Sequence, residues 1–267
     1  MPVKPPHDPQ AEKSGHASYD AAWFEPLMAA EDRHFWFRAR NIILSRVISQ
    51  ITRQLDPGYR VLEVGCGTGN VLRVLEQACP GGTVVGMDLF AEGLAYAQQR
   101  VSCLLVQGDM HQPPFGVPFD VIGLFDVLEH LPDDHKVLRD LFDMLAPGGR
   151  LLLTVPAHQA LWSYFDEAAH HCRRYELPDL QDRLTGAGYA VEYLTPYMAA
   201  LYPLLRLWRG RRPAANESAQ DRSVDELRIV PVLNDVLAFA LAQEARLIAR
   251  RRRLPFGSSL LAVARRL

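Results

Sequence analysis

Apolar positions along the chain change their period repeatedly, and the changes mark out helices and strands. Between Tyr19 and Ile51, Tyr19, Trp23, Phe24, Phe35, Trp36 and Phe37 supply bulk. Ile42, Ile43, Val47, Ile48 and Ile51 then recur at three- and four-residue intervals, the period of helices with one buried face. Two helices are expected there, packed on the rest of the fold. Asp56-Pro57-Gly58 breaks the pattern. Beyond it, short apolar runs at 60–64, 83–87, 103–107, 121–125, 150–156 and 189–194 read as strands. They alternate with amphipathic stretches at 71–78, 91–100, 133–145 and 177–187 that read as helices. Runs such as VIGLF are apolar at every position, so both faces of those strands are buried. That requires an α/β fold with a parallel sheet and helices on each side.

The strand at 60–64 runs directly into unusual punctuation. In VLEVGCGTGN an acid, Glu63, precedes Gly65, Gly67 and Gly69, and a helical pattern follows. A strand, a glycine turn and a helix N-terminus together bring bare backbone and the positive end of a helix dipole to a ligand. A dinucleotide fingerprint would be GxGxxG, with a pyrophosphate on the helix. Here the spacing is GxGxG, and Glu63 would repel a phosphate and welcome a cation.

This stretch resembles the first motif of the class I S-adenosylmethionine-dependent methyltransferases, E/DxGxGxG. The resemblance implies a Rossmann-like, seven-stranded, mostly parallel sheet with one antiparallel strand, and S-adenosyl-L-methionine as cofactor. It implies that Glu63, Gly65, Cys66, Gly67 and Gly69 form the cofactor turn, Cys66 being there because the turn needs a small residue. It places Asp88, with Leu89, at the ribose, Asp109 with Met110 at the adenine, and Phe125 and Asp126 at the end of the fourth strand. HFWFRAR resembles a WFxxR segment that closes over the cofactor in one group of small-molecule methyltransferases, which brings Trp36, Phe37 and Arg40 to the site. A ring beside a sulfonium would add roughly 0.5–2 kcal/mol of cation–π attraction.

Two clusters offer chemistry at the carboxyl ends of the strands. Asp126, Glu129 and His130 follow the fourth. A similar EVLEH segment in ubiquinone-pathway O-methyltransferases has been linked to a divalent ion, but a Glu-His pair alone is too few ligands, and no metal is expected. After the fifth strand, YFDEAAHHCRRY holds His170, His171, Arg174 and Tyr175. Its end resembles an HxRRY element of the same methyltransferases. With His130, these are the candidate catalytic residues: histidines for a base, arginine to anchor an anionic acceptor.

A class I sheet needs a seventh strand, antiparallel to the others, and the best remaining run is 258–265. The expected organisation is a disordered lead (1–18), an N-terminal helical cap (19–56), the cofactor-binding domain (57–195), a helical insertion or lid (196–255) and the final strand (256–267). Within the insertion, the 13-residue apolar segment 196–208 is too short to cross a bilayer. Residues 213–223 are a polar linker. Residues 233–253 read as a helix with apolar positions at 233, 236, 237, 240, 241, 247 and 248 on one face, ending in Arg250, Arg251, Arg252 and Arg253.

Composition narrows the class without changing it. The chain has 267 residues, 48% hydrophobic and 22% charged, enough for a sizeable core. Its four cysteines show no paired spacing, which fits a reducing, cytoplasmic compartment. The first 18 residues lack the apolar run of a signal peptide. Net charge is −2, yet 13 Lys and Arg face 6 Asp and Glu from Pro196 onward, so the insertion is basic. A short basic run without interleaved aromatics argues against nucleic acid and leaves a membrane surface as a partner. The expected function is methyl transfer from S-adenosylmethionine to a small-molecule acceptor, with a bulky, apolar or lipid-linked one compatible with a helical lid. The alternatives are a catalytically silent S-adenosylmethionine-binding scaffold and, disfavoured by the missing GxGxxG, a nicotinamide-dependent oxidoreductase. Oligomeric state is not legible.

Overall fold

The computed structural model describes residues 23–208 and 229–267. The expected disordered lead, Tyr19 and the polar linker at 213–223 lie outside them. Seven strands form one sheet: β1 (Arg60–Val64), β2 (Thr83–Asp88), β3 (Leu104–Gln107), β4 (Phe119–Phe125), β5 (Leu145–Pro156), β6 (Tyr189–Tyr197) and β7 (Ser259–Arg266). Their order is β3-β2-β1-β4-β5-β7-β6. The first five are parallel, and β7 lies antiparallel between β5 and β6. The sheet is therefore the α/β, Rossmann-like one expected, with the chain's last strand in the antiparallel place. Strand order reverses between β1 and β4, and such a switch point opens a crevice at the carboxyl ends of the strands.

Alternate side chains of each strand feed two cores, one per face. Val61, Val121, Leu152 and Val263 pack against α2 (Phe35–Thr52), α3 (Asn70–Ala78) and the long late helix, Pro231–Ala249. Leu62, Ile122, Leu151 and Ala262 face α5 (Asp134–Met144) and α7 (Leu177–Gly186). The shorter helices are α1 (Phe24–Ala30), α4 (Ala91–Ala97), α6 (Tyr164–Ala168) and α8 (Tyr202–Trp208), which makes Pro231–Ala249 α9. α9 runs alongside α2. Asn234 accepts from Phe35 N–H at 2.8 Å and donates to Arg33 C=O at 3.0 Å, while Gln50 donates to Ala249 C=O at 2.6 Å.

Three local expectations change. β5 begins at Leu145 rather than at 150, and Pro147-Gly148-Gly149 is a bulge inside it. Leu145 pairs with Phe119 before the register shifts to Arg150 opposite Val121, and Gly148 absorbs the kink at φ 77°. β6 continues to Tyr197, so the start of the apolar segment 196–208 is strand. α9 stops at Ala249, before the arginine run, and Arg251 turns the chain with φ 55°. Its apolar positions split between two faces: Leu241 and Ile248 are buried, Leu233, Val236 and Leu247 exposed. Among the described residues, no helix is long and apolar enough to cross a membrane.

Candidate functional site

β1 delivers Glu63 and the glycine turn to the switch point. Gly65 has φ 71°, and a Cβ there would lie 2.6 Å from Val127 Cγ2, so only glycine fits. The N–H groups of Gly65 and Cys66 donate to Met87 C=O at the end of β2, at 2.8 and 3.1 Å. Asp88 receives Gly67 N–H on Oδ2 at 2.7 Å and Phe90 N–H on Oδ1 at 2.9 Å. These bonds stitch the turn to β2 and hold Asp88, 7% exposed, beside it. Burial pushes the Asp88 carboxyl upward against those hydrogen bonds.

A cavity of about 610 Å³ opens above this floor. Glu63 lines it, buried, with Oε2 unpaired. Burial holds its carboxyl well above the ordinary range, with Arg40 only partly opposing and Asp88 adding to the rise. Arg40 donates to Asp126 Oδ2 at 2.8 Å, and its guanidinium lies 4.9 Å from the Trp36 ring and 5.3 Å from Phe37. Asp126 holds a positive φ of 55°, a strained position at the end of β4. From α1 and the residue before it, Trp23, Phe24 and Leu27 roof the cavity. Glu31, just beyond α1, is tied to Thr68 and to Arg100 in a buried cluster.

Another part of the cavity wall is built from the segments after β4 and β5. Asp166, fully buried, receives Ser163 N–H at 2.8 Å, His171 Nδ1 at 2.9 Å and Arg174 Nε at 2.7 Å. Burial alone would raise its carboxyl, but the His171 hydrogen bond and the Arg174 guanidinium outweigh that and hold it down to about 2. The His171 and His130 rings meet edge to face, with centroids 4.7 Å apart. Burial, then neighbouring His171, pushes His130 down to about 3, so it is neutral at physiological pH. Burial and Asp126 push Glu129 well above the usual carboxylate range. Glu129, His130 and His171 each bring a donor atom within 4.8 Å of the others, close enough to share a proton or a cation. His171 thus supplies the third group that the Glu-His pair lacked in sequence.

The structure brings most of the sequence-derived candidates together. Trp36, Arg40, Glu63, Gly65, Cys66 and Gly67 line the cavity, as do Asp88, Leu89, Asp109, Met110, Phe125 and Asp126, and so do His130, His171 and Arg174. Three candidates lie elsewhere. Gly69, at φ 77°, caps α3 and lets α4 approach, since its Cβ would sit 3.1 Å from Ala97 Cα. Tyr175 is 1% exposed and donates to Asp134 Oδ2 at 3.0 Å, which makes it a core tie. His170 is exposed at the end of the α6 turn with φ 55°. Missing from the sequence-derived set were Glu31 with Arg100, Asp166 as the partner of His171, and Leu201 and Leu205, which also line the cavity. Leu27 follows Phe24 by three residues and Trp23 by four, which puts the three on one side of a helix, while nothing local joins Glu31 to Arg100.

S-adenosylmethionine suits this donor set. An unpaired buried carboxylate calls for a cation, Asp88 retains lone pairs for hydroxyls, and the Trp36 and Phe37 rings offer faces to a positive charge. Comparison with known proteins agrees. Residues 29–194 match the family described as methyltransferase domain. Trans-aconitate 2-methyltransferase of Azoarcus sp. (strain BH72) is 32% identical over 151 residues, covering 56% of this chain and 55% of that protein. Ubiquinone biosynthesis O-methyltransferase of Pseudomonas fluorescens (strain SBW25) is 33% identical over 131 residues, covering 46% of this chain and 56% of that one. The chain thus spans about half the length of the curated relatives it matches. Among solved structures, phosphoethanolamine N-methyltransferase 2 of Haemonchus contortus, in complex with phosphomonomethylethanolamine and S-adenosylhomocysteine, superposes with a TM-score of 0.55. At 21% identity over 84% of this chain and 52% of that one, the likeness is one of fold. The chain belongs to this methyltransferase domain family, that of the class I S-adenosylmethionine-dependent methyltransferases.

Proposed function

We propose that the protein transfers the methyl group of S-adenosylmethionine to a small, largely apolar acceptor. The observation that carries the reading is Glu63, a buried carboxylate with an unpaired oxygen at the floor of an open cavity, beside a positive-φ glycine turn. A phosphate there would meet like charge, and a neutral ligand would leave the acid unsatisfied. A cationic amino-acid group pairs with it.

Bound S-adenosylmethionine supplies an electrophilic methyl group on its sulfonium. Glu63 would hold the amino-acid part, Asp88 the ribose, and Asp109 with Met110 the adenine. Arg40, fixed by Asp126 and stacked near Trp36, closes the opposite wall and excludes water. His171 gives Nδ1–H to Asp166, so Nε2 is the nitrogen that can take a proton from an acceptor hydroxyl or amine. Phe35, Leu201 and Leu205 give the acceptor an apolar wall. Holding acceptor and methyl group at attack distance is the larger contribution, roughly 7–11 kcal/mol where alignment is good, and a base adds about 10²–10⁴-fold. The relatives' names, one for trans-aconitate and one for ubiquinone biosynthesis, support a small-molecule acceptor.

Calorimetry with S-adenosylmethionine, followed by S-adenosylhomocysteine release across a panel of hydroxylated aromatic, quinol and carboxylate acceptors, tests the proposal. Binding with product release on one acceptor class is expected. Absence of heat with S-adenosylmethionine would overturn it, and binding without release on any acceptor would favour the scaffold role instead.

A further inference from the structure

The outer surface of α9 has no part in the site. At 3.6 residues per turn the helix carries two apolar stripes. Leu241, Ala245 and Ile248 form one and are buried. Val232, Val236, Phe239 and Leu247 form the other, on the opposite side, and it is open: Val232 is 79% exposed and Phe239 71%. Exposed Arg246 and Arg250 continue that second stripe at its C-terminal end, so the whole line spans about 100° of the helix. Arg252 and Arg253, also exposed, follow at once. Asp235 flanks the stripe and is paired with Arg38 at 2.8 Å, which leaves the basic end unopposed by an acid of this face.

A second exposed apolar patch lies on α8, next to the cavity. Glu244 of α9 accepts Ala200 N–H at 3.2 Å and so ties α9 to the segment leading into α8. On and beside α8, Leu204 and Leu207 are exposed, 53% and 75%, while Leu201 and Leu205 line the acceptor wall. A run of large apolar side chains ending in arginines is poorly matched to water. It is matched to the boundary between acyl chains and anionic headgroups.

We propose that this face docks on an anionic lipid bilayer. Val232, Val236 and Phe239 enter the acyl boundary, and Arg246, Arg250, Arg252 and Arg253 meet the headgroup phosphates. Docking stands independently of methyl transfer.

Co-sedimentation of the full-length protein with vesicles of phosphatidylcholine, alone or mixed equally with phosphatidylglycerol, tests it. Binding to the mixed vesicles only is expected, weakening as salt rises. The pair V236S/F239S should reduce it at least tenfold, and each of R246S, R250S, R252S and R253S by roughly fivefold. S-adenosylmethionine affinity, measured by calorimetry, should be the same in wild type and variants, which shows them folded. No binding to the mixed vesicles would overturn the proposal, as would binding untouched by either set of variants. So would a concentration-dependent dimer that V236S/F239S dissociates, since a second copy would then be the occupant. Loss of S-adenosylmethionine binding in the wild type would instead sink the methyl-transfer reading and leave the vesicle result standing.

Discussion

Asp166 Oδ1 and His171 Nδ1 lie 2.9 Å apart across the end of α6, with the carboxylate fully buried and the imidazole on the cavity wall. The bond fixes both the tautomer and the tilt of the ring. Replacing His171 by Ala should lower kcat by about 10²–10⁴-fold, leave S-adenosylmethionine affinity within about twofold, and be partly rescued by added imidazole. Rescue separates a proton acceptor from a packing role. Asp166→Asn, which accepts through one oxygen and loses the charge, should lower kcat by about tenfold or more.

The same carboxylate makes the fold acid-sensitive in a defined window. Its folded pKa, about 2, lies below the unfolded value. Its stabilisation is therefore present above the unfolded pKa and is lost as pH falls through about 2. The shift corresponds to about 2 kcal/mol. Urea denaturation should show Asp166→Asn less stable than wild type by about that amount at pH 7, with the gap closing toward pH 2.

Glu63 has the opposite sign. Burial raises its pKa, so its contribution to stability is largest below the unfolded value and is lost as pH rises. A cationic ligand binds the ionised form, so affinity for S-adenosylmethionine should increase with pH across the raised pKa, with release of a proton. Calorimetry in two buffers of different ionisation enthalpy measures that proton directly. Glu63→Gln should remove the proton release and weaken binding by about 1.5–3 kcal/mol.

Much of this was legible in order along the chain, and the reason is local. Glu63 and the three glycines are contiguous, and a strand-to-turn-to-helix junction needs only neighbours to specify it. The antiparallel place of β7 could be read because 258–265 was the remaining run with strand character. What escaped depends on distant partners. His171 became a third member of the Glu129 and His130 group only when the segment after β5 folded back over the short 3₁₀ turn Leu128–His130. Tyr175 looked catalytic by its neighbours, yet its hydroxyl is held by Asp134, 41 positions away. The Pro147-Gly148-Gly149 triplet carries turn chemistry, but pairing with β4 on either side of it converts the turn into a bulge. Residues 233–253 show apolar periodicity, and sequence cannot say which side of a helix is covered.

The buried pair Glu31 and Arg100 yields the last expectation. Their side chains are 8% and 3% exposed, and Arg100 also donates to Met28 C=O at 3.0 Å, so the roof helix α1 is fastened to the chain just past α4. Arg100→Met would leave the Glu31 carboxyl buried and supported by Thr68 alone, a change expected to cost about 3–5 kcal/mol. Glu31→Leu with Arg100→Met removes both charges and should recover most of that stability, because two apolar side chains suit a dry site. The fastening would not return with it: hydrogen bonds to Thr68 and Met28 are lost in the double variant. Stability and cofactor residence time should therefore part company. Thermal unfolding of the double variant should resemble wild type, while stopped-flow displacement shows S-adenosylmethionine leaving several times faster. Equal residence times would mean that α1 is held by Trp23, Phe24 and Leu27 alone.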